Sequence, residues 1–499
     1  MTSNEPSQSE INKIIDLVSK NLYQDALDQA NNLIQNYPNN ALLFNIAGAC
    51  TAGLGDLDDA VIFYKKAIES NPDYAKAYFN LAGTLQDMSE FEDSIENYIK
   101  SLEIDPSFAE AHNNLGNVYR ELGELEEAVT SYQKAIVINK NYVEAIFSLG
   151  IVLQSLNSSD AIDCFKKVIK IKPDFAEAHN NLGIAYKNRG QTEDAIRSYK
   201  KALDINSNYL EAHNNLGVAF KELNQLDDAV EAYKSAINIY PDFADAQNNL
   251  GNAFKDLGRV DDAIKCYEIA INSDSNYPAY FNNLGILLTE LKQFERANLV
   301  FQSSLAINSE HPDTHNNLGN SFKEQGQLEN AIDCYQAALE IDAKYFEAYN
   351  NLGNVQNELG QIDKSIESYE RAIKLNPYFP EPYNNLGNIL KDLKKFDDAI
   401  NNYKKAITLN PNYVECFNNL GIVYFQLGQL DDAFSSYQKA IAINPDFDEA
   451  YSNLGIVYFQ KNDIDNAIKS YRKAISLNPS FVEAYDNLGT CLKSIGKFE

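Results

Sequence analysis

The pattern of apolar and polar residues repeats every 34 residues along almost the whole chain. In the segment 109–142, two stretches with apolar residues at helical spacing are separated by a break at Leu122-Gly123. Gly or Asn stands at this break in most units, and both residues tolerate the left-handed backbone that ends a helix. An Asn-Pro or similar pair ends the second stretch, because proline cannot continue a helix. Each unit is therefore predicted to be a helical hairpin, and the chain a linear stack of hairpins.

The repeat divides the chain into a tail, a regular array and a half unit. Residues 1–10 are predicted to be a polar N-terminal tail, 11–39 a degenerate first repeat, and 482–499 a half repeat. The regular repeats begin at residues 40, 75, 109, 143, 176, 210, 244, 278, 312, 346, 380, 414 and 448. The second repeat has one extra residue around 50–53, and the fifth is one residue short between 156 and 160. We expect about fourteen units in one continuous array over 11–499.

Small and large residues alternate at fixed places in each unit and predict the core. Gly116, Ala128 and Ala135 allow two helices to approach closely, and large side chains such as Leu115 and Tyr132 fill the remaining space. We interpret the recurring aromatic residues as core between repeats rather than as a ligand site.

The first helix of each unit has a polar face whose composition can be predicted. With a helical advance of about 100° per residue, positions 2, 5, 6, 9, 12 and 13 share one face, which we expect to be exposed. Position 2 is mostly acidic, and position 5 is Asn in many central copies. Position 6 is Asn in nearly every copy: Asn80, Asn114, Asn181, Asn215, Asn249, Asn283, Asn317, Asn351, Asn385, Asn419, Asn453 and Asn487. Position 12 is basic in several copies, among them Lys187, Lys221, Lys255, Lys323 and Lys391.

The asparagines need a physical reason, because Asn is a mediocre helix former. Its amide both donates and accepts, which suits binding the backbone of an extended peptide. The alternatives are that these amides bond across neighbouring helices or reflect a compositional bias. Peptide binding predicts that alanine at Asn215, Asn249 and Asn283 together weakens partner binding without lowering the melting temperature.

The same face becomes apolar in two late repeats. Ile422, Phe425, Ile456 and Phe459 are candidate anchors for a partner side chain, since exposed aromatic residues on a binding surface often serve this role. The alternative is that they pack on adjoining helices.

Charge and composition restrict the class of partner. The chain has 499 residues, with 42 Lys and Arg against 71 Asp and Glu, a formal net charge of −29. This charge disfavours nucleic-acid and acidic-membrane partners and suits a neutral or basic, extended protein segment, although it also serves solubility alone. No apolar run is long enough to span a bilayer, and no secretory signal begins the chain. Six scattered cysteines read as core residues in a reducing compartment, so we expect a cytoplasmic protein.

Sequence motifs for chemistry are missing. No P-loop, dinucleotide-binding motif, Cys-x-x-Cys pair or zinc-protease motif occurs, so we predict no catalytic residues, metal or cofactor. Four of the five histidines share position 4, where we expect satisfied core residues: His112, His179, His213 and His315. His311 and His315 have a metal-like spacing, but Pro312 should start a helix and leave His311 outside it.

These features resemble the tetratricopeptide repeat, with a small residue at position 8, Ala at 20 and 27, an aromatic residue at 24 and Pro at 32. The family's usual Trp at position 4 is absent. The resemblance covers nearly the whole chain and implies an all-α, right-handed superhelical solenoid whose first helices line a concave groove. The asparagines resemble those in the repeat region of protein O-linked N-acetylglucosamine transferases. The family's two-carboxylate clamp for chaperone tails needs Lys and Arg where this chain has Asn.

We therefore predict a non-enzymatic scaffold that binds an extended peptide segment in an asparagine-lined groove. The alternative is the substrate-recognition region of a larger enzyme, a glycosyltransferase, sulfotransferase or oxygenase, whose catalytic domain is absent from this chain. The sequence stops after a first helix, so we expect a partner subunit or a missing domain to cover the apolar face left there.

Overall fold

The protein is all-α. The computed structural model describes residues 5–496, which form 29 α-helices and no strand. Odd-numbered helices are the first helices of the hairpins: α1 (Gln8–Ser19), α3 (Ala41–Gly53), α5 (Ala75–Asp87), α7 (Ala109–Glu121), α9 (Val143–Ser155), α11 (Ala176–Lys187), α13 (Leu210–Glu222), α15 (Ala244–Asp256), α17 (Pro278–Glu290), α19 (Pro312–Glu324), α21 (Phe346–Glu358), α23 (Pro380–Asp392), α25 (Val414–Gln426), α27 (Asp448–Gln460) and α29 (Val482–Ser494). Even-numbered helices are the second helices: α2 (Tyr23–Asn36), α4 (Leu57–Ser70), α6 (Phe91–Ile104), α8 (Leu125–Ile138), α10 (Asp160–Ile171), α12 (Thr192–Ile205), α14 (Leu226–Ile239), α16 (Val260–Ser273), α18 (Phe294–Ile307), α20 (Leu328–Ile341), α22 (Ile362–Leu375), α24 (Phe396–Leu409), α26 (Leu430–Ile443) and α28 (Ile464–Leu477).

The helices form two compact units, Met1–Leu257 and Gly258–Glu499. Within each unit, every helix packs against the next helix in the chain, and successive first helices also contact one another from α3 onward. Second helices make no comparable contacts with one another among the described residues. First helices are therefore closer together than second helices, so each unit curves with its first helices on the inner side. Each unit is a helical-repeat solenoid.

The hairpin turns follow from left-handed residues at the break. Gly123 has φ +79°, and the Glu124 N–H donates to the Tyr119 carbonyl at 2.8 Å, which closes the end of α7. Asn224 adopts the same backbone with φ 57°. Lys292 and Lys394 do so as well, without the freedom of glycine. The prediction of a helix-ending turn at this position is confirmed.

Asparagine ends many second helices through its own side chain. The Asn139 N–H donates to the Ala135 carbonyl at 2.9 Å, and its Oδ1 accepts from the Asn141 N–H at 3.1 Å. This local turn competes with continuation of the helix and directs the chain into the next repeat.

The core depends on a ring packed against a glycine. A Cβ built on Gly116 would lie 2.8 Å from the Tyr132 ring, so the two helices approach as closely as a hydrogen side chain allows. Tyr132, Ala128 and Ala135 are fully buried. The prediction that small and large residues share a core between helices is confirmed.

Two features at the start of the chain differ from the sequence prediction. Helix α1 begins at Gln8, because Ser7 and Glu10 form a capping box in which each side chain accepts from the other's backbone N–H. The polar tail therefore does not extend to residue 10, and residues 1–4 lie outside the described part. Helix α3 begins at Ala41, 34 residues before α5 begins at Ala75, and Gly48 faces Tyr64 with the usual spacing, so the second repeat begins at residue 41 and the predicted extra residue around 50–53 is wrong.

Two other boundaries concern the fifth repeat and the end of the chain. Helix α10 has 12 residues where α8 has 14, so the missing residue shortens the start of a second helix. The half repeat contains α29, and its residues 497–499 lie outside the described part.

Candidate protein-binding face

The inner face of each unit is the side of its first helices that carries positions 2, 5, 6, 9 and 12. All the predicted position-6 asparagines are half-buried, including Asn283, Asn317 and Asn487. Position 5 was expected to be exposed, and this expectation is wrong. Asn180, for example, is 4% exposed and Asn418 is 3% exposed, because the first helix of the following repeat covers position 5.

The amides at positions 5 and 6 form an asparagine ladder between successive first helices. In each rung, the Nδ2 of a position-6 asparagine donates to the Oδ1 of the position-5 asparagine in the preceding repeat, at 2.9–3.2 Å. The donors are Asn80, Asn215, Asn249, Asn351, Asn385, Asn419 and Asn453. The amides thus bond across neighbouring helices, which was the alternative interpretation of their recurrence.

The ladder has a direction that determines what the inner face offers to a partner. The Asn453 Nδ2 donates to the Asn418 Oδ1 at 2.9 Å, and the Asn418 Nδ2 is 3.4 Å from the Glu449 carboxylate. Each of these rungs uses one of the two N–H groups of the position-6 amide, while the position-6 Oδ1 atoms of Asn351 and Asn453 accept no hydrogen bond within residues 5–496. These asparagines therefore keep an acceptor and one N–H donor for a partner on the inner face.

Phenylalanine interrupts the ladder at position 5 in two repeats. Phe147 occupies position 5 in the repeat that precedes Asn181, so the ladder acceptor is missing there. The Asn181 Nδ2 donates instead to the Glu177 carbonyl of its own helix at 2.8 Å. Phe79 stands before Asn114, whose Oδ1 accepts from the adjacent Asn113 side chain at 3.1 Å. Each phenylalanine packs on the aromatic residue that precedes the next first helix, with ring centroids 4.7–4.9 Å apart.

The position-12 lysines are half-buried and lie close to carboxylates. Lys187 pairs with Glu222 at 3.2 Å and Lys221 with Asp256 at 3.0 Å, in each case an acid on the next first helix. Lys391 lies 3.6 Å from Asp392. Lys323 lies 4.0 Å from the adjacent Glu324, and Lys255 occupies the equivalent place on α15. These pairs offset much of the positive charge on the inner face.

A row of acidic residues at position 2 therefore determines the charge of the inner face. Its members in Gly258–Glu499 are Asp313, Glu347, Glu381, Glu415, Glu449 and Glu483, and those in Met1–Leu257 are Glu110, Glu144, Glu177, Glu211 and Asp245. Partial burial, and secondarily the charge of Asp313, raises the pKa of the Glu347 carboxyl. Burial, followed by Asp448 and Glu415, likewise raises the pKa of Glu449. This acidic row is therefore a surface on which negative charges already repel one another.

The four predicted apolar anchors are partly buried against neighbouring helices. Ile422 and Phe425 are half-buried against a cluster that includes Tyr437 and Leu454. Ile456 and Phe459 pack in the same way against Tyr471 and its neighbours. The following hairpin covers part of each side chain, which agrees with the alternative of packing on adjoining helices, and their role as anchors stays a prediction.

The position-4 side chains have a structural partner. In His179, His213 and His315, the Nε2 lies 2.9–3.1 Å from a backbone carbonyl in the loop before the helix. His311 caps α19, and its Nδ1 accepts from the Thr314 N–H at 3.3 Å. No group of His, Cys, Asp and Glu suited to a metal ion occurs among the described residues.

The cysteines and the helix lengths add two further facts. The thiols are buried or half-buried, and burial raises the pKa of Cys164 to about 11, which keeps this thiol protonated and unreactive at neutral pH. Across residues 5–496, every helix is too short or too polar to cross a bilayer.

Comparison with protein families identifies the repeat. A family model described as TPR repeat matches residues 85–119, 116–157, 251–291, 319–360, 353–394, 387–428 and 423–461. Models described as tetratricopeptide repeat match residues 12–75, 63–96, 174–242 and 448–481. The chain belongs to the tetratricopeptide-repeat family. It is a protein-interaction scaffold built from these repeats.

Solved structures contain chains that are similar to this one. A chain of the APC/C hetero-tetramer Cut9-Hcn1 is 16% identical, with 96% of this chain and 95% of that chain covered and a TM-score of 0.47. MamA is 33% identical over 32% of this chain and 94% of its own, with a TM-score of 0.31. YrrB, titled a TPR protein with an unusual peptide-binding site, is 26% identical over 37% of this chain and 96% of its own, with a TM-score of 0.32. Among curated proteins, none matches the chain.

Proposed function

We propose that the inner face binds an extended segment of a partner protein that is rich in hydrogen-bond donors and positive charge. The observation that supports this proposal is that two sets of acceptors recur along the inner face, the acidic row at position 2 and ladder Oδ1 atoms such as those of Asn351 and Asn453. An extended backbone supplies N–H donors at regular spacing, and Lys or Arg side chains supply charge.

The energetics favour a basic guest over a neutral one. Carboxylates that are partly desolvated and close to like charges gain more from a cation than fully solvated carboxylates do. The raised pKa values of Glu347 and Glu449 indicate such an environment. The net charge of −29 adds long-range attraction, which speeds association and weakens with salt.

The test uses a fluorescein-labelled, unstructured peptide of alternating Lys and Ser, with a Glu-Ser peptide of equal length as its counterpart. Fluorescence anisotropy should show binding of the Lys-Ser peptide alone. Glu347→Gln, Glu381→Gln and Glu415→Gln combined should weaken its binding about tenfold or more, because three charges on one face act together.

The matched control removes the same charge elsewhere. Asp397→Asn, Asp398→Asn and Asp432→Asn lie at the starts of second helices and should change the affinity by less than about threefold, through the net charge alone. Equal losses in both triple variants would mean that overall charge, rather than the inner face, attracts the peptide. Equal binding of the two peptides would reject the basic partner.

A further inference from the structure

A cavity of about 710 Å³ opens between the second helices α6 and α8, above the first helix α7. Its lining is mainly apolar and includes Leu102, Leu115 and Ile138. The size falls in the range typical of small-molecule sites, about 300–1,000 Å³. The cavity is formed largely by second helices, so it is separate from the inner face.

Two residues at this cavity depart from the repeat. Ile99 is 39% exposed, and every other second helix has a polar residue at its position, such as Gln133 or Lys200. Val137 is 77% exposed, and no other second helix has an apolar residue larger than alanine there. Exposed Ile and Val side chains do not stabilise the fold, because they stay in contact with water. Two of them at one cavity indicate a surface that a ligand covers.

His112 lines the same cavity, and one of its ring nitrogens is a buried acceptor without a partner. His112 is 8% exposed, and its Nε2 lies 3.2 Å from the Pro106 carbonyl, so Nε2 carries the proton of the neutral ring. The Nδ1 is then an acceptor, and it is buried without a hydrogen-bond partner. The other position-4 histidines are more exposed, so water can reach them. An unpaired buried acceptor is costly, and a donor that enters the cavity would remove the cost.

We propose that this cavity binds a small, uncharged, mainly apolar ring molecule with one N–H or O–H donor, of the indole or phenol class. The ring contacts Ile99, Leu102 and Val137, and the donor is directed to the His112 Nδ1. The rim carries charges of both signs, Glu103, which is paired with Lys100 at 3.3 Å, and Lys134, so it does not favour an ion of one sign.

The first test compares indole with 1-methylindole by isothermal titration calorimetry on the full chain. The two probes differ by a methyl group on the donor nitrogen, so they separate the hydrogen bond from apolar burial. Indole should bind about tenfold more tightly, because 1-methylindole leaves the His112 acceptor unpaired. The imidazole ¹⁵N resonance of the His112 Nδ1 should also shift with indole and stay unchanged with 1-methylindole. No measurable binding of indole, or equal affinity for both probes, would overturn the proposal.

The second test locates the binding. Ile99→Gln with Val137→Glu places in the cavity the residue types that other second helices carry at these positions, Gln133 and Glu103, so the fold should tolerate them. This variant should lose at least about tenfold in indole affinity, because apolar contact area is replaced by polar groups. Lys200→Gln, at the position on α12 that corresponds to Ile99, is the control and should bind indole normally. Unchanged affinity in the double variant, with an unaltered circular dichroism spectrum, would place binding elsewhere and reject this site.

Discussion

The asparagine ladder is continuous in repeats 346–481 and interrupted in repeats 109–209, although both stretches follow the same 34-residue pattern. In the continuous stretch, the Asn385 Nδ2 donates to both Asn350 and Asn354, at 3.1 and 3.0 Å. The hydroxyls of Tyr369 and Tyr403 donate to the position-9 asparagines Asn354 and Asn388 at 2.7–2.8 Å. Amides are therefore paired across the boundaries between these repeats, and the two hydroxyls are paired within their own hairpins.

In the interrupted stretch, two residues differ from the repeat pattern, and each leaves a buried polar atom without a hydrogen-bond partner. Ser148 stands where the next repeat should offer an asparagine, and the Oδ1 of Asn113 is buried without a partner. Ile184 replaces the position-9 asparagine, and the Tyr199 hydroxyl is likewise buried without a partner. Pairing on the inner face thus depends on combinations of residues in one or two repeats rather than on the consensus of a single repeat.

The largest expected difference concerns the ladder donor. Asn385→Ala removes the two bonds that the side chain donates and the one that it accepts from Asn384, and it leaves the buried Asn350 Oδ1 unpaired, which should cost about 1–3 kcal/mol of unfolding free energy. Asn181→Ala removes a bond to a carbonyl of its own helix and should cost less than about 1 kcal/mol. Urea unfolding, fitted with a nearest-neighbour treatment suited to repeat arrays, measures both. Equal costs would mean that the ladder bonds contribute no net stability.

The tyrosine hydroxyls provide the second comparison. Tyr403→Phe removes the donor to Asn388 and should cost about 1 kcal/mol. Tyr199→Phe removes a buried hydroxyl that has no partner and should be neutral or stabilising. The same unfolding assay compares them, and a larger loss for Tyr199→Phe would contradict this assignment of partners.

The smallest expected effect is a gain in unfolding free energy when the missing ladder donor is restored. Ser148→Asn should supply the missing donor to the Asn113 Oδ1 and raise the unfolding free energy by about 0.5–1 kcal/mol. Ser148→Ala is the control, since it changes the same side chain without adding a donor. A gain of the same size in both variants would attribute the effect to helix propensity instead.

Much of the fold could be predicted from the sequence, because the 34-residue period, the Gly or Asn breaks and the alternation of small and large core residues are local signals. The burial of position 5 could not be predicted from one helix. A helical projection treats each first helix alone, whereas Asn418 is covered by the first helix of the next repeat. The recurrence of Asn pairs 35 residues apart, such as Asn418 and Asn453, was the available signal for the ladder.

The location of the candidate site on the inner face was easier to predict than which of its side chains are free to contact a partner. The acidic row is visible in the sequence as a run of Asp and Glu at position 2. The pairing of Lys221 with Asp256 and the packing of Phe425 depend on contacts between repeats, which a single repeat does not contain. For the same reason, the ladder bonds predict that alanine at Asn215 and Asn249 lowers stability as well as any binding.

The central claim, that the inner face receives an extended basic segment, is tested most directly by photo-cross-linking. The Lys-Ser peptide with a benzophenone at its middle is irradiated with the full chain, and the modified residues are identified by mass spectrometry. Binding along the inner face predicts cross-links at positions 2 and 6 of first helices, for example at Glu381 and Asn385. Cross-links concentrated on second helices or on the loops between repeats would contradict it.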